Sequence, residues 1–320
     1  MNRIGLVTSG GDAPGMNAAI RAVTRVACSK CIEVLGFERG WDGLISNNFR
    51  VLTPRNVGGI LHVGGTILRT SRSPEFKTPE GVRKAAENLV SNGVEGLIVV
   101  GGDGSMHGGL ALSEASDIAV VGIPATIDND VYGTEETIGF DTAVNTAINE
   151  IDKIRDTANA HERVFVVEVM GRQRGFLALT IGLTVGAEVI LVPEVEYCVK
   201  DVVETLKLNR DIGKKSGIIV AAEGIGDTRK LMADLEELAG VDVRLSIMGY
   251  AQRGGNPSAR SRLLANLFAD KAVDLLKNGK RNQMVALQNG KVNSISLQEV
   301  TSNQKQLDLY LMELAKTLAT

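Results

Sequence analysis

Three segments of the chain combine glycines with acids or hydroxyls at spacings that suit phosphate chemistry. The first, Thr8-Ser9-Gly10-Gly11-Asp12-Ala13-Pro14-Gly15-Met16-Asn17, follows an apolar run and leads into a helical pattern. A glycine-rich turn that delivers the chain into a helix aims backbone amides at an anion, so this segment reads as a phosphate cradle. It lacks Gly-x-Gly-x-x-Gly and does not end in Gly-Lys-Ser/Thr, so neither the dinucleotide fingerprint nor the P-loop fits. Glu38 ends the second apolar run and could imitate the ribose-binding acid of a dinucleotide domain, but a surface carboxylate is the better account. The second segment, Gly101-Gly102-Asp103-Gly104-Ser105, lets a polyphosphate lie against the backbone and leaves one carboxylate, Asp103, for Mg²⁺. A plain strand-to-helix turn needs no acid among its glycines. The third, Pro124-Ala125-Thr126-Ile127-Asp128-Asn129-Asp130, sets two carboxylates two residues apart beside a hydroxyl.

The surrounding sequence supplies the elements to hold these loops. Short apolar runs at 4–8, 33–37, 96–100, 118–122, 163–169, 189–192, 217–222 and 243–248 read as strands, and helical patterns separate them. Thr78-Pro79-Glu80 opens one helix that stops at Asn92-Gly93, with an N-cap, a first-turn proline and a closing glycine each in place. The strands are almost continuously apolar, as in parallel sheets covered on both faces. The fold class expected is therefore α/β, with two doubly wound, mostly parallel-sheet lobes and the active site in the cleft between them. In such folds ligands gather at the carboxyl ends of the strands, where the three segments stand. A polar loop at 129–134 precedes a long helix from about 140 to 159 and marks a boundary.

Composition narrows the partners. A chain of 320 residues exceeds the size at which one core stops growing, which favours two lobes. Lys and Arg total 35 against 38 Asp and Glu, too even a balance to point to nucleic acid or an anionic membrane. Apolar residues never run the ~20 positions that span a bilayer, and the Met-Asn-Arg start followed by an apolar strand lacks a signal-peptide layout, so a cytoplasmic protein is expected. Cys28 and Cys31 form a Cys-x-x-Cys, but no second pair accompanies them and Cys198 is remote, so both are expected as small packing residues. His62, His107 and His161 each stand alone in sequence.

The three loops in this order, with similar separations, resemble the 6-phosphofructokinase family. Four further matches extend the resemblance over essentially the whole chain: Gly64-Gly65-Thr66 with Arg72, Glu168-Val169-Met170-Gly171-Arg172, Pro193-Glu194-Val195-Glu196, and Gln252-Arg253-Gly254-Gly255. The resemblance implies transfer of the γ-phosphoryl group of MgATP to O1 of fructose 6-phosphate. It makes Asp128 the base, with Thr126, Arg72 and Arg172 at the moving phosphoryl group and Asp103 holding Mg²⁺. It assigns Gly11, Arg72, Ser73, Gly102, Asp103, Gly104 and Ser105 to ATP. Thr126, Ile127, Asp128, Met170, Gly171, Arg172, Glu223, Tyr250 and Arg253 fall to the sugar phosphate, together with Arg163 and Arg244, which in tetrameric relatives reach a neighbouring subunit's site. It implies a nucleotide-binding lobe, 1–138 plus 251–300, and a sugar-phosphate-binding lobe, 139–250 plus 301–320, and also a homotetramer and an effector site for ADP or phosphoenolpyruvate at Arg21, Arg25, Arg155, Gly186, Glu188 and Lys214. At that site the match is incomplete: the 54–59 segment lacks an acid near Gly59 and shifts its arginine by one residue, and Ile212 replaces a basic residue. Tyr250 stands where some bacterial relatives carry histidine.

Three rival functions remain distinguishable. A pyrophosphate-dependent phosphofructokinase usually has aspartate at position 104 and lysine at position 125, where this chain has Gly104 and Ala125. A catalytically silent binding regulator is free to lose the base or the metal acid, whereas Asp103, Asp128 and Arg172 are all retained. A nicotinamide-dependent oxidoreductase fails on the glycine fingerprint.

Overall fold

The computed structural model describes residues 1–319. Among these the strands are β1 (Arg3–Ser9), β2 (Glu33–Phe37), β3 (Phe49–Leu52), β4 (Gly96–Gly101), β5 (Ala119–Thr126), β6 (Ile138–Gly139), β7 (Val164–Val169), β8 (Val189–Leu191), β9 (Gly217–Ala222), β10 (Val243–Ile247), β11 (Gln283–Gln288) and β12 (Lys291–Ser296). The helices are α1 (Met16–Ser29), α2 (Trp41–Ile45), α3 (Pro79–Ser91), α4 (Asp103–Glu114), α5 (Phe140–His161), α6 (Phe176–Val185), α7 (Val199–Asp211), α8 (Thr228–Ala239), α9 (Ala259–Lys277), α10 (Leu297–Ser302) and α11 (Leu309–Leu318).

The chain divides into two compact units, 1–142 with 253–305, and 143–252 with 306–320. Side-chain bonds hold the ends of the first unit's two segments to it. Thr142 Oγ1 bonds Ser261 Oγ at 2.8 Å, which keeps the first turn of α5 with α9. Lys305 Nζ donates to the Glu135 carbonyl at 3.0 Å and so stays with the first unit.

In the first unit the sheet order is β12-β11-β5-β4-β1-β2-β3, with β6 paired to β5. Pairing is parallel from β11 through β5, β4 and β1 to β2, and antiparallel only at the edges, β2 with β3 and β11 with β12. Both edge strands and the β11–β12 hairpin lie outside the strands expected from sequence. β12 is polar and half exposed, so its strand state comes from pairing rather than from an apolar run. One face of this sheet buries Leu35, Phe37, Leu89, Leu97, Val99 and Val120 in a single core. Helix α3 shows how local sequence sets an element: Thr78 Oγ1 accepts from Gly81 N at 3.1 Å, Pro79 starts the helix, and Gly93 at φ +66° follows its end. Loss of such a cap costs about 1 kcal/mol, so Thr78→Ala is expected to lower the free energy of urea unfolding by about that amount.

The second unit holds a parallel sheet in the order β10-β7-β9-β8. Val166, Ile219, Ala221, Leu231 and Leu235 pack beneath it with Val202 and Leu206 of α7. Cys28 is partly buried near the end of α1, while Cys31 is exposed at φ +59° just beyond it, so only the first of the pair acts as a packing residue. Among the described residues no helix is long and apolar enough to cross a membrane.

Candidate active site

The carboxyl ends of β1 and β4 finish level with one another, and β5 beside them runs two residues further. Ser9 pairs with Gly101, and Gly101 with Pro124, so the three chemistry-bearing loops leave the sheet side by side. Adjacent strands lie about 4.8 Å apart, which puts the roots of all three loops within about 10 Å. The chain order also reverses between β1 and β4, the switch point at which doubly wound sheets open a crevice for ligands.

Close approach explains the glycines there. A Cβ on Gly101 would stand 2.4 Å from Ser9 O and from Ser105 Oγ, so no larger residue fits. Gly102 precedes α4 without a side-chain cap, which leaves amides at the start of the helix for an anion. The Ser105 hydroxyl is buried without a hydrogen-bond partner and faces the backbone of Gly10 and Gly101, as suits a donor to a phosphate oxygen. Asp103, in the first turn of α4, has Oδ2 3.5 Å from His107 Nδ1. Among the described residues no group of three or more His, Cys, Asp and Glu forms a metal cage. Mg²⁺ shared with substrate phosphates needs only one or two carboxylates, so Asp103 beside an amide cradle fits that ion.

Asp128 is 1% exposed at the end of β5, and its N–H donates to Thr126 Oγ1 at 3.2 Å. Thr137 Oγ1 donates to the Thr126 carbonyl at 2.6 Å, and Ile127 is buried between them. The Thr126 side chain lies against Gly102, where a Cβ would meet Thr126 Cβ at 3.3 Å, so the second and third loops touch. A buried carboxylate, hydroxyls and an amide cradle on one sheet edge are parts for phosphoryl transfer to an alcohol.

A sequence model of the family described as Phosphofructokinase matches residues 3–276. The chain belongs to the phosphofructokinase family. Two curated relatives, from Bacillus cytotoxicus and Bacillus thuringiensis, are each 49% identical over 319 residues, covering 100% of both chains, and both are named ATP-dependent 6-phosphofructokinase. A solved phosphofructokinase from Saccharomyces cerevisiae is 32% identical with a TM-score of 0.88; the match covers 99% of this chain and 47% of that one, so this chain spans about half its length. A pyrophosphate-dependent phosphofructokinase from Marinobacter aquaeolei shares the fold, with a TM-score of 0.85, 22% identity and coverage of 97% and 86%.

The other residues that phosphofructokinase resemblance singles out fall into four places. Arg253 lies in the first unit: its Nη1 donates to Asp12 O at 3.3 Å and would stand 2.3 Å from a Cβ on Gly11. Arg72 is exposed, whereas Ser73 is buried and accepts from Phe76 N at 3.3 Å.

Met170, Gly171, Arg172, Glu223 and Tyr250 cluster at the carboxyl ends of β7, β9 and β10 in the second unit, again levelled by register, with Val169 opposite Ala222 and Ile247 opposite Glu168. Gly171 at φ +132° begins the turn there, and a Cβ on it would meet Arg174 O at 2.6 Å. Arg172 N donates to Glu223 Oε1 at 2.7 Å. Tyr250 is 83% exposed.

Arg163 and Arg244 are not part of that cluster. Both stand at the amino-terminal edge of the same sheet and share Asp242, at 2.6 and 2.8 Å. The intervening strand β7 of six residues puts Arg163 about 20 Å from Met170, and Arg244, opposite Phe165, about 16 Å along the strand from it.

The effector-site candidates split likewise. Glu188 is buried, 2.8 Å from Lys214 Nζ and 4.0 Å from Arg155 Nη1, and accepts from Ile218 N at 2.5 Å, while Gly186 closes α6 at φ +63°. Arg21 and Arg25 lie on α1 in the first unit, where Arg25 Nη2 donates to Pro54 O at 3.4 Å.

Two structural supports lie outside the candidate site residues read from sequence. Gln252 is fully buried and its Oε1 accepts from Met170 N at 2.8 Å, which fixes the start of the Met170–Arg172 turn. Trp41 stacks on Phe76 with ring centroids 4.2 Å apart and an interplanar angle of 8°, against Gly108 of α4. The one tryptophan of the chain, directly after a β2 carboxyl end, is the signal that finds it.

Proposed function

We propose that this chain is an ATP-dependent 6-phosphofructokinase, which moves the γ-phosphoryl group of ATP to O1 of fructose 6-phosphate and yields fructose 1,6-bisphosphate and ADP. The observation that carries it is the buried Asp128, in the loop that leaves β5 beside the strands carrying two glycine-rich loops, at a switch point. The 49% identical relatives named for ATP support the donor. So does Gly104, whose missing Cβ would meet nothing within 4 Å, leaving room for a nucleotide and presenting no charge to its phosphates.

In this function Gly11, Gly102, Gly104 and Ser105 hold the donor phosphates through amides and a buried hydroxyl, with Arg72 and Ser73 alongside. Asp103 would hold Mg²⁺, which neutralises charge on the nucleotide phosphates when bound. Asp128 accepts the proton of the sugar O1 hydroxyl as that oxygen attacks phosphorus. Thr126 and Arg172 stabilise charge on the transferring group, most strongly in the transition state. Ile127, Met170, Gly171, Glu223 and Tyr250 take the sugar. Guanidinium forks suit a phosphate monoester, and Arg253 supplies one from this chain. The distance of Arg163 and Arg244 from Met170 supports their serving a neighbouring copy, in keeping with the homotetramer that the family resemblance implies. Arg155, Gly186, Glu188 and Lys214, with Arg21 and Arg25, are the effector site for ADP or phosphoenolpyruvate.

The test is phosphoryl transfer to fructose 6-phosphate by the purified protein with Mg²⁺, comparing ATP with pyrophosphate at equal concentration. Turnover with ATP alone is expected. Turnover with pyrophosphate alone overturns the donor, and none with either moves the protein to a binding role.

A further inference from the structure

Asp128 is followed by a residue in an unusual backbone state. Asn129 sits at φ +52°, the left-handed region that asparagine tolerates better than most side chains but that still requires support. Both ends of its amide are bound: Oδ1 accepts from Thr137 N at 3.1 Å, and Nδ2 donates to the Glu135 carbonyl at 3.2 Å. That same carbonyl accepts from Lys305 Nζ at 3.0 Å, a bond across 170 residues from the strap that follows α10. Glu135 is held on its other side by the β11–β12 turn, where its carboxylate accepts from Asn289 N at 2.5 Å and Gly290 N at 3.4 Å.

We propose that Lys305 is a positioning residue for the catalytic loop: by donating to the Glu135 carbonyl that Asn129 also grasps, it holds the left-handed Asn129 peptide, and the carboxylate before it, in place for proton transfer. An ammonium donor makes this bond charge-assisted and stronger than a neutral one. Lys305 is half-buried and faces Asp130, Glu135 and Glu136, of which Glu136 is paired with Arg260 of α9 at 2.8 Å. Burial brings its pKa down to about 8, against the three carboxylates, which raise it. The charge that strengthens the bond is therefore present below that pH and lost as pH rises through it.

This proposal rests on the kinase function proposed above, and its test separates the two. Lys305→Met and Lys305→Arg are made in the full chain, and kcat, KM and hydrogen exchange are followed from neutral to alkaline pH. The wild-type kcat is expected to fall as pH rises through about 8. Arginine, always charged, is expected to keep kcat and remove that fall. Methionine is expected to lower kcat about tenfold, as small misplacements of reacting groups do, while both KM values stay within about threefold. Exchange of the Asp128 and Thr137 amides in Lys305→Met is expected to accelerate about tenfold, with β4 amides unchanged. Unchanged loop exchange, or acceleration spread evenly over the chain, overturns the proposal, as does an alkaline fall that persists in Lys305→Arg. Because exchange needs no turnover, it decides the role of Lys305 even for a wild-type protein inactive on fructose 6-phosphate.

Discussion

Asp128→Asn is expected to lower kcat by about 10²–10⁴, the usual worth of general-base assistance, with a smaller change in KM for fructose 6-phosphate. Asparagine has the size of aspartate, so the buried position at the end of β5 accepts it without a cavity. The backbone is fixed independently of the carboxylate, by the Asp128 N–H bond to Thr126 Oγ1 and the Thr137 bond to the Thr126 carbonyl. Under the proposed function, what the variant loses is the ability to take a proton from the attacking hydroxyl. Steady-state kinetics with saturating ATP measure the effect, and a loss below about tenfold removes Asp128 from the role of base.

Gly104→Asp is expected to leave the fold intact and to lower kcat/KM for ATP by at least about 100-fold. The position is open, with no atom within 4 Å of where a Cβ would stand, and it is the second residue of α4. An acid in the first turn of a helix is stabilised by the exposed amides, so thermal unfolding should not suffer. The same carboxylate would face the donor phosphates beside Asp103, and like charges brought together at a binding site cost several kcal/mol. Gly104→Ala adds volume without charge and is expected to remain within about tenfold of wild type, which isolates the charge effect. If Gly104→Asp uses ATP as well as wild type does, the donor phosphates do not lie along the first turn of α4.

How far the fold was legible depended on where each strand stands. β2 and β9 have the bounds that their buried apolar runs imply, because burial on both faces makes the run itself the signal. β12 reads Lys291-Val292-Asn293-Ser294-Ile295-Ser296, and an edge strand of that composition is set by its partner. Its clue was the Asn289-Gly290 dipeptide, both residues at positive φ, which favours a tight hairpin turn. The candidate site was legible where its parts are local. Gly101 to Ser105 and Thr126 to Asp128 carry their chemistry within a few residues. Gln252 and Lys305 bond partners 82 and 170 residues away; the motif around Gln252 marks the segment but not the Met170 bond, and nothing around Lys305 announces its own. The place of Arg163 and Arg244 at the far edge of their sheet likewise follows from strand direction rather than from residue type.

The Asn289-Gly290 turn also gives the molecule a chemical clock. Asparagine followed by glycine in an exposed turn is the sequence most prone to cyclise onto the next amide and lose ammonia, and both residues here are exposed. The Asn289 and Gly290 amides are the two that Glu135 accepts from. Water then opens the neutral imide to aspartate or isoaspartate, so ageing at this turn would place a new negative charge beside Glu135 and, in the isoaspartate product, reroute the backbone that braces the Asp128 loop. Wear would begin on the surface and be felt at a carboxylate that is itself buried.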